Sequence, residues 1–357
     1  MTEISKDHPV MVTGASGYIG GHVAARFLAE GLTVRAPVRN PDSRARLAPL
    51  VAVANDLPGT LELSTADLMS PGSYEAAAQS CQLVVHTASP FETNFDDPQT
   101  ELVDPAVKGT ENVLSAANAS SSVKRVVLTS SCAAIYGDNT DLADAPGDAF
   151  TEAVWNTTSS LDHQPYSYSK TLAERRAWEL QEAQDRWDLV TINPGFVIGP
   201  ALGPGATSDS FAIATQIVDG TMRFGAPDMT VPTVDVRDVA DAHYLAGFRP
   251  EATGRHILSA EVMPTLDLVA PLREKFGKRL PLPKSLTPKA LMWLVGPIAS
   301  KGVFTRKVIS RNVGVPIQFD NSKSREALGI DYRPVGTALV EMIEQLIDSG
   351  AVKIKPE

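Results

Sequence analysis

The chain has 357 residues, 43% hydrophobic and 21% charged, with no long block of like charge, a composition that excludes a mainly disordered or fibrous protein. At roughly 150 residues per domain the length suggests two domains or one enlarged domain, with a core that needs no disulfide or metal staple. Lys plus Arg number 32 against 42 Asp plus Glu, a net charge of −10, so no bulk attraction to nucleic acid or to an anionic lipid surface is expected.

In chain order, Val10–Thr13 is predicted as a strand, the residues after Gly17 as a helix ending at Gly31, and Thr33–Val38 as a second strand. Further strands are predicted at 61–65, 83–86, 125–128 and 189–192, with helices over 105–118 and 166–184. This alternation implies a doubly wound α/β (Rossmann) fold, a parallel sheet covered on both faces. After Pro194 the pattern breaks up. Residues 195–229 are rich in Gly, Pro and Ser, 234–248 are predicted helical, and 255–259 form one more strand. The expected plan is a dinucleotide-binding domain over 1–194 and 230–260, and a smaller carboxyl-terminal substrate-binding lobe over 195–229 and 261–357, with a cleft between them.

The longest apolar run, residues 290–299, carries Gly296 and Pro297 and falls short of the ~20 residues that span a bilayer. It is expected to be a buried helix, with a surface for a partner as the alternative, and no membrane contact is expected. The start MTEISKDHP has neither a basic leader nor an apolar stretch, and there are two cysteines, Cys81 and Cys132. A reduced, cytoplasmic protein is expected, in which the sequons at Asn118 and Asn156 have no consequence.

The stretch VMVTGASGYIGGHVAARFL puts Gly14, Gly17 and Gly20 where a strand turns into a helix. Absent side chains there let the backbone bend, let a pyrophosphate approach and let helix pack on sheet, with the helix amino terminus facing the phosphate. In such sites an acid at the end of the second strand binds the ribose hydroxyls of NAD, whereas an arginine suits the 2′-phosphate of NADP. Here the second strand ends at Arg39, with Arg44 and Arg46 close behind; guanidinium forks bind phosphate in a bidentate way. Arg35 lies within the strand and is discounted.

Tyr166 and Lys170 are four apart in HQPYSYSK, so they share one helix face, while Tyr168 points elsewhere. A phenol with a pKa near 10 exchanges protons poorly at neutral pH, and a neighbouring cation is expected to favour the phenolate and make Tyr166 a usable general acid or base. The strand RVVLTSS ends in Ser130 and Ser131, at the strand end where open α/β sheets bind ligands. A hydroxyl there is placed to hold a substrate carbonyl oxygen.

With these residues in hand the sequence resembles the extended short-chain dehydrogenase/reductases, within them the group of dihydroflavonol reductase, cinnamoyl-CoA reductase and microbial NADPH-dependent aldehyde and methylglyoxal reductases. The resemblance runs through VTGASGYIG, VRNP, ADL at 66–68, HTASPF at 86–91, GTENVL at 109–114, RVVLTSS, YSYSK, NPGFVIGP at 193–200, DVRDVADAH at 235–243 and FDNSKSREALGI at 319–330. It implies Ser131, Tyr166 and Lys170 as a catalytic triad, with Asn112 beside them. It implies Gly14, Gly17, Tyr18, Ile19 and Gly20 at the pyrophosphate and Arg39 at the 2′-phosphate. Asp67 and Leu68 would meet the adenine, Thr87, Ala88 and Ser89 the ribose, and Pro194, Gly195, Phe196 and Val197 the nicotinamide, whose ribose Lys170 would also bind. Two positions depart from the pattern. The plant enzymes carry Lys after the residue equivalent to Arg39, for which Arg44 and Arg46 stand as candidates, and Cys132 follows Ser131 where epimerases of the wider family often align their Ser.

The six histidines, His8, His22, His86, His163, His243 and His256, do not fall at metal-ligand spacing and the cysteines make no CxxC, so no metal is expected. His86, in an apolar strand, is expected to be structural. No GxSxG elbow is present, which argues against an α/β hydrolase. The expected function is NADPH-dependent reduction of a ketone or aldehyde to an alcohol, the sequence leaving open which carbonyl compound, with Phe91, Tyr136 and Phe196 lining the substrate pocket. The alternatives are an NAD-dependent nucleotide-sugar epimerase or dehydratase, and a non-catalytic dinucleotide-sensing regulator. The sequence leaves the oligomeric state open.

Overall fold

The computed structural model describes residues 2–89, 95–204, 208–300 and 302–356. In the first half strands and helices alternate: β1 (Val10–Thr13), α1 (Tyr18–Ala29), β2 (Thr33–Val38), α2 (Arg44–Asn55), β3 (Thr60–Thr65), α3 (Glu75–Ala78), β4 (Leu83–His86), α4 (Asp104–Ala119), β5 (Arg125–Thr129), α5 (Pro165–Glu182) and β6 (Asp188–Pro194). The second half holds β7 (Phe196–Ile198), α6 (Asp209–Val218), β8 (Thr230–Asp235), α7 (Val236–Phe248), β9 (Gly254–Leu258), β10 (Glu261–Pro264), α8 (Thr265–Phe276), α9 (Lys289–Ala299), α10 (Arg306–Asn312), α11 (Ser322–Ala327) and α12 (Val335–Asp348).

Seven strands form one sheet in the order β3-β2-β1-β4-β5-β6-β9, every pair parallel. The chain steps outward from β1 in both directions, so the switch point falls between β1 and β4, where ligands bind in doubly wound sheets. Side chains alternate between two cores, as strand geometry requires. Val10 and Val12 pack with Phe27, Leu28 and Val239 under α1 and α7, while Met11 between them packs with Val113, Leu114 and Ala177 under α4 and α5. The expected doubly wound fold is therefore what forms.

β7, β8 and β10 make a separate three-stranded sheet in the order β10-β8-β7. α6, α8 and α12 enclose their own core of Phe211, Leu268, Leu272, Leu339 and Met342. Of residues 230–260, β9 joins the large sheet and β8 the small one. The helix expected from 234 begins at Val236, because the Asp235 carboxylate accepts the Arg237 amide at 2.8 Å and caps it, leaving Val234 in β8.

The helix expected over 290–299 does form, as α9, but it is not buried: Leu294 is 62% and Ile298 85% exposed. Among the described residues it packs in a small apolar cluster, where Met292 meets Ile309, Val313, Phe304 and Met229. A hairpin of two short helices has too little partner surface to cover both sides of α9.

Arg125 at the start of β5 is fully buried and joins the sheet to the end of α7. It pairs with Asp188 at 2.7 and 2.8 Å and donates to the Ala246 and Arg249 carbonyls at 2.9 and 2.6 Å. Removing one member of such a cluster leaves buried acceptors without donors, so Arg125→Leu is expected to cost about 3 kcal/mol. The measurement is urea unfolding followed by circular dichroism; a midpoint equal to wild type would show that Arg125 contributes nothing to the fold.

Candidate active site

A cleft of about 800 Å³ opens at the carboxyl ends of the strands, bounded by the large sheet on one side and by α6 and β8 on the other. Its floor is the turn from β1 into α1. Gly14 has φ +73°, and a Cβ there would lie 2.7 Å from the Ala88 amide nitrogen. A Cβ on Gly20 would lie 2.1 Å from the Gly14 carbonyl oxygen, so both positions require glycine. Gly17 begins α1 with no side-chain cap, and Gly14, Gly17, Tyr18, Ile19 and Gly20 all line the cleft. The uncapped amides of that helix end face into it, a ready site for an anion. The Tyr18 phenol donates to the Gly199 carbonyl at 2.7 Å and its ring stacks edge-on against Phe211, pinning the glycine turn to the small lobe.

Arg39, directly after β2, and Arg46, in α2, both line one end of the cleft. Arg44 opens α2, and its side chain lies outside the described residues. Arg35 is held away by Glu62 at 3.0 Å and by the Ala77 and Gln79 carbonyls. Tyr74 packs beside Arg39; burial and the Asp67 carboxylate push its phenol up to about 12, with Arg39 opposing.

Asp67 and Leu68 line the same end. Asn112, expected among the catalytic residues, is not in the cleft. Its amide nitrogen donates to the Asp67, Leu68 and Ser70 carbonyls at 3.2, 3.1 and 2.7 Å, and its oxygen accepts the Gly72 amide at 3.0 Å. With every polar atom of the side chain occupied by the 67–72 turn, Asn112 shapes the wall of the cleft from behind.

Beyond β4, the Thr87 hydroxyl donates to the Thr13 carbonyl at 2.6 Å and the Ala88 amide to the Thr13 hydroxyl at 3.2 Å, fixing this segment to the glycine turn. Thr87, Ala88 and Ser89 line the cleft; Phe91 lies outside the described residues. His86 is buried with its Nδ1 2.8 Å from the Thr13 hydroxyl, and burial together with the Lys170 cation lowers it to about 3. It is a neutral structural imidazole, as expected.

Ser131, Tyr166 and Lys170 meet on one wall. Ser131 begins a short 3₁₀ turn and its Oγ accepts the Ala133 amide at 3.1 Å, which aims the hydroxyl into the cleft. Gln164, at the start of α5, is held in the left-handed region at φ +56°, uncommon for a residue with a Cβ. Pro165 then starts the helix that carries Tyr166 and Lys170 on one face. Tyr166 is 37% exposed, toward the cleft, whereas Tyr168 is not part of its lining. Lys170 Nζ donates to Ser89 Oγ at 2.9 Å and lies 5.8 Å from the Tyr166 ring centre. Burial lowers Lys170 to about 8. The expected lowering of the phenol by the ammonium is not what sets it: burial first, then the Asp209 carboxylate, push Tyr166 up to about 12, against a hydrogen bond with Ser131 that pulls it down. At neutral pH the phenol keeps its proton, which suits an acid.

Pro194, Gly195, Phe196 and Val197 form the wall where β6 passes into β7, and Tyr136 lies near the base. The opposite wall, which the sequence motifs do not indicate, is made of Ser208, Asp209, Ser210 and Ile213 at the start of α6, Met229, residues 230–232 of β8, and Asn139 and Asn312. One signal was available: Ser208 before an apolar run is a helix cap, and its hydroxyl accepts the Phe211 amide at 3.4 Å.

The family model of the NAD dependent epimerase/dehydratase family matches residues 10–258. The chain belongs to that family. It is similar to cinnamoyl-CoA reductase CAD2 of Medicago truncatula, 36% identical over 349 residues that cover 97% of this chain and 98% of the relative. It is also similar to ketoreductase azaE of Aspergillus niger, 32% identical, covering 94% and 98%. Among solved structures, Gre2 of Candida albicans in complex with NADPH superposes with a TM-score of 0.75 at 28% identity, covering 96% of this chain and 99% of that one. The fold and the reductase resemblance expected from the motifs stand.

Because a Cβ at Gly20 would collide with the Gly14 carbonyl and the Thr87 hydroxyl, Gly20→Ala is expected to displace the turn and weaken dinucleotide binding more than roughly ten-fold, about 1.4 kcal/mol. Isothermal calorimetry checks this, and unchanged affinity would remove the turn from the binding site.

Proposed function

We propose that the chain is an NADPH-dependent carbonyl reductase that converts a small ketone or aldehyde to the alcohol. The observation that carries this reading is the joint occupancy of one cleft by Ser131, Tyr166 and Lys170, the glycine turn, and the guanidinium pair Arg39 and Arg46. An anion site at a helix end, two arginines at the far end and a proton donor at the near end are what a phosphorylated dinucleotide and a carbonyl substrate together require.

The described residues fit the cofactor. Gly14, Gly17, Tyr18, Ile19 and Gly20 would hold the pyrophosphate, Arg39 with Arg46 the 2′-phosphate, Asp67 and Leu68 the adenine, and Thr87, Ala88 and Ser89 the adjoining ribose. Pro194, Gly195, Phe196 and Val197 would border the nicotinamide. When bound, NADPH supplies the hydride to the carbonyl carbon. Tyr166 holds a proton at its phenol oxygen and delivers it to the substrate oxygen as negative charge grows there. Ser131 keeps that oxygen within reach of the phenol and shares the charge through a hydrogen bond. Lys170, cationic below about pH 8, binds the nicotinamide ribose and adds positive charge to this wall. Phe196 contributes apolar surface to the substrate side.

The lobes of the proposal are residues 1–194 with 236–260, and 195–235 with 261–357: the expected boundary at 230 moves to 236 because β8 pairs with β7 and β10, and the cleft lies where the lobes meet. The two cysteines are free and buried, in keeping with a reduced, cytoplasmic setting. Among the described residues no helix is long and apolar enough to cross a membrane.

Tyr166→Phe is expected to lower kcat by more than about a thousand-fold, within the range removed by losing a general acid, while NADPH still binds. Tyr168→Phe is expected to retain near wild-type turnover. Loss of NADPH absorbance with a panel of aldehydes and activated ketones is the measurement, and a lethal Tyr168 change with a tolerated Tyr166 change would overturn the assignment. Purified protein that epimerises a nucleotide sugar and reduces no carbonyl compound would favour the epimerase alternative.

Cofactor choice gives a second test. A charge-assisted bond to the 2′-phosphate contributes about 1.5 to 3 kcal/mol, or roughly ten- to a hundred-fold in affinity. NADPH is therefore expected to exceed NADH in kcat/KM by about that factor, and Arg39→Asp to reverse the order, with Arg46 retaining part of the preference in Arg39→Ala. Equal wild-type values, or no change on substitution, would take Arg39 out of the site.

A further inference from the structure

The apolar residues of α9 repeat with the period of a core-facing helix, yet they face outward. Leu291, Leu294, Val295 and Ile298 stand at i, i+3, i+4 and i+7, one side of a helix, and are 48%, 62%, 44% and 85% exposed. The opposite side, Met292 and Gly296, is the side that packs on α10, with Gly296 against Ile309 and Phe304. The face continues past the helix. Val303 in the turn to α10 is 72% exposed, and Phe224, on a loop joined to the approach to α9 through the Ala226 and Leu286 bridge, is 84% exposed.

The stretch that carries this face has charge of one sign. Between Glu274 and Asp320 the chain has no Asp or Glu, and it has nine Lys and Arg, in a protein of net charge −10. Within that stretch Lys289 is occupied by the Ser310 and Val313 carbonyls, and Arg311 by Asp138. Lys284, Arg306 and Lys307 are exposed. Arg306 stacks over the Trp293 ring at 4.5 Å, on another side of α9 from the stripe, and Arg223 stacks over Phe224 at 4.4 Å, which puts a basic head beside that exposed ring.

We propose that the α9–α10 hairpin is a docking surface for an anionic lipid membrane, lying in the headgroup plane with Leu291, Leu294, Val295 and Ile298 turned into the lipid. An apolar stripe on a stretch that holds basic residues and no acid is what an interfacial helix needs: the stripe enters the headgroup and acyl boundary, and the basic groups pair with anionic headgroups. α9 spans eleven residues and contains Pro297, so it lies on a bilayer and does not cross one. A second copy of the chain fits less well. A two-fold interface places the same patch on itself, and here that would bring Lys284, Arg306 and Lys307 against their own counterparts with no carboxylate of the stretch to neutralise them. The net charge of −10 gives no bulk attraction to a membrane, so the docking rests on this one stretch.

The test is co-sedimentation of the full chain with phosphatidylcholine vesicles, with and without phosphatidylserine, alongside light scattering of the protein alone. The wild type is expected to sediment with the phosphatidylserine vesicles, less so as salt is raised, and to stay in solution with phosphatidylcholine alone. Leu294→Asp with Ile298→Asp is expected to abolish sedimentation. Lys284→Ala with Lys307→Ala is expected to weaken partitioning roughly thirty-fold, from two basic groups near the surface. All four positions are exposed, and an unchanged melting temperature checks that the variants fold. Wild type that ignores anionic vesicles overturns the proposal. If it is dimeric and the Asp variants are monomeric, the face is a subunit interface instead; if it is monomeric throughout, the face is bare in solution.

Discussion

Glu174 sits with its carboxylate out of water among five donors contributed by four elements. Arg255 from β9 donates through Nε at 2.7 Å, Asn193 and Thr191 from β6 at 2.8 and 3.2 Å, Trp178 from α5 itself at 3.3 Å, and Ser130 at the end of β5 through its hydroxyl. A buried carboxylate is tolerable only when its partners satisfy its lone pairs, and breaking such a cluster costs more than the pair contributes. The constraint therefore fixes how α5 lies across the strand ends. Lys170 is one helical turn before Glu174, Tyr166 one turn before that, and Ser131 follows Ser130, so anchoring this one carboxylate sets the spacing of the three residues that face the cleft. Arg255 carries the connection further, to the Glu152 and Val154 carbonyls, and the Trp155 ring lies 3.9 Å from its guanidinium carbon.

The electrostatics of the cleft follow from that rigidity. Lys170 is surrounded by packed helix and strand, so burial disfavours its charge, and the ammonium in turn helps to keep His86 neutral. A neutral His86 shares a hydrogen bond with the Thr13 hydroxyl, whose oxygen is also the acceptor for the Ala88 amide. The glycine turn and the Thr87 to Ser89 segment are thereby linked through a polar chain with no net charge apart from Lys170. On the opposite side Asp209 faces Tyr166, and burial raises this carboxyl above its ordinary range. A phenol between a cation on one side and a carboxyl on the other holds its proton firmly in the cleft as it stands. On the function proposed above, the hydrogen bond from Ser131 and the charge of Lys170 would stabilise the growing alkoxide and so make that proton transferable.

Much of this was legible in the sequence because the signals are local. The alternation of short β-branched runs with helical stretches implies a doubly wound parallel sheet, and Gly14, Gly17 and Gly20 mark a turn from strand to helix. Tyr166 and Lys170 share a face by spacing alone. What was not legible depends on neighbours distant in sequence. The family pattern puts Asn112 near the chemistry, but its amide is claimed by a turn some forty residues earlier, and nothing in GTENVL says so. Residues 208–213 entered the cleft through the packing of α6 on α12 and β7, which the Gly, Pro and Ser around them concealed. The apolar run at 290–299 reads as core because its period is that of a core helix; only the shortage of a partner element, visible once α10 is seen to be seven residues long, turns it outward.

The small lobe meets the catalytic wall through a second buried acid. Asp138 is fully buried, and against the penalty of burial the bonds from His163 and Asn312, helped by Arg311, hold its carboxyl below the ordinary range. His163 at 2.7 Å belongs to the segment that leads into α5, while Asn312 at 2.7 Å and Arg311 at 3.2 Å belong to α10. Asn139 adds bonds in both directions along the same seam, its amide to the Asn312 oxygen at 2.8 Å and its side chain to the Val315 carbonyl at 2.9 Å. The strained Gln164, which sets the start of the Tyr166 helix, is one residue from His163 and bonds the Gly137 carbonyl at 3.3 Å. Asp138 and His163 thus join α10 to the segment that leads into the Tyr166 helix. On this geometry the outward face of the α9–α10 hairpin and the proton donor in the cleft are opposite ends of one continuous packed unit.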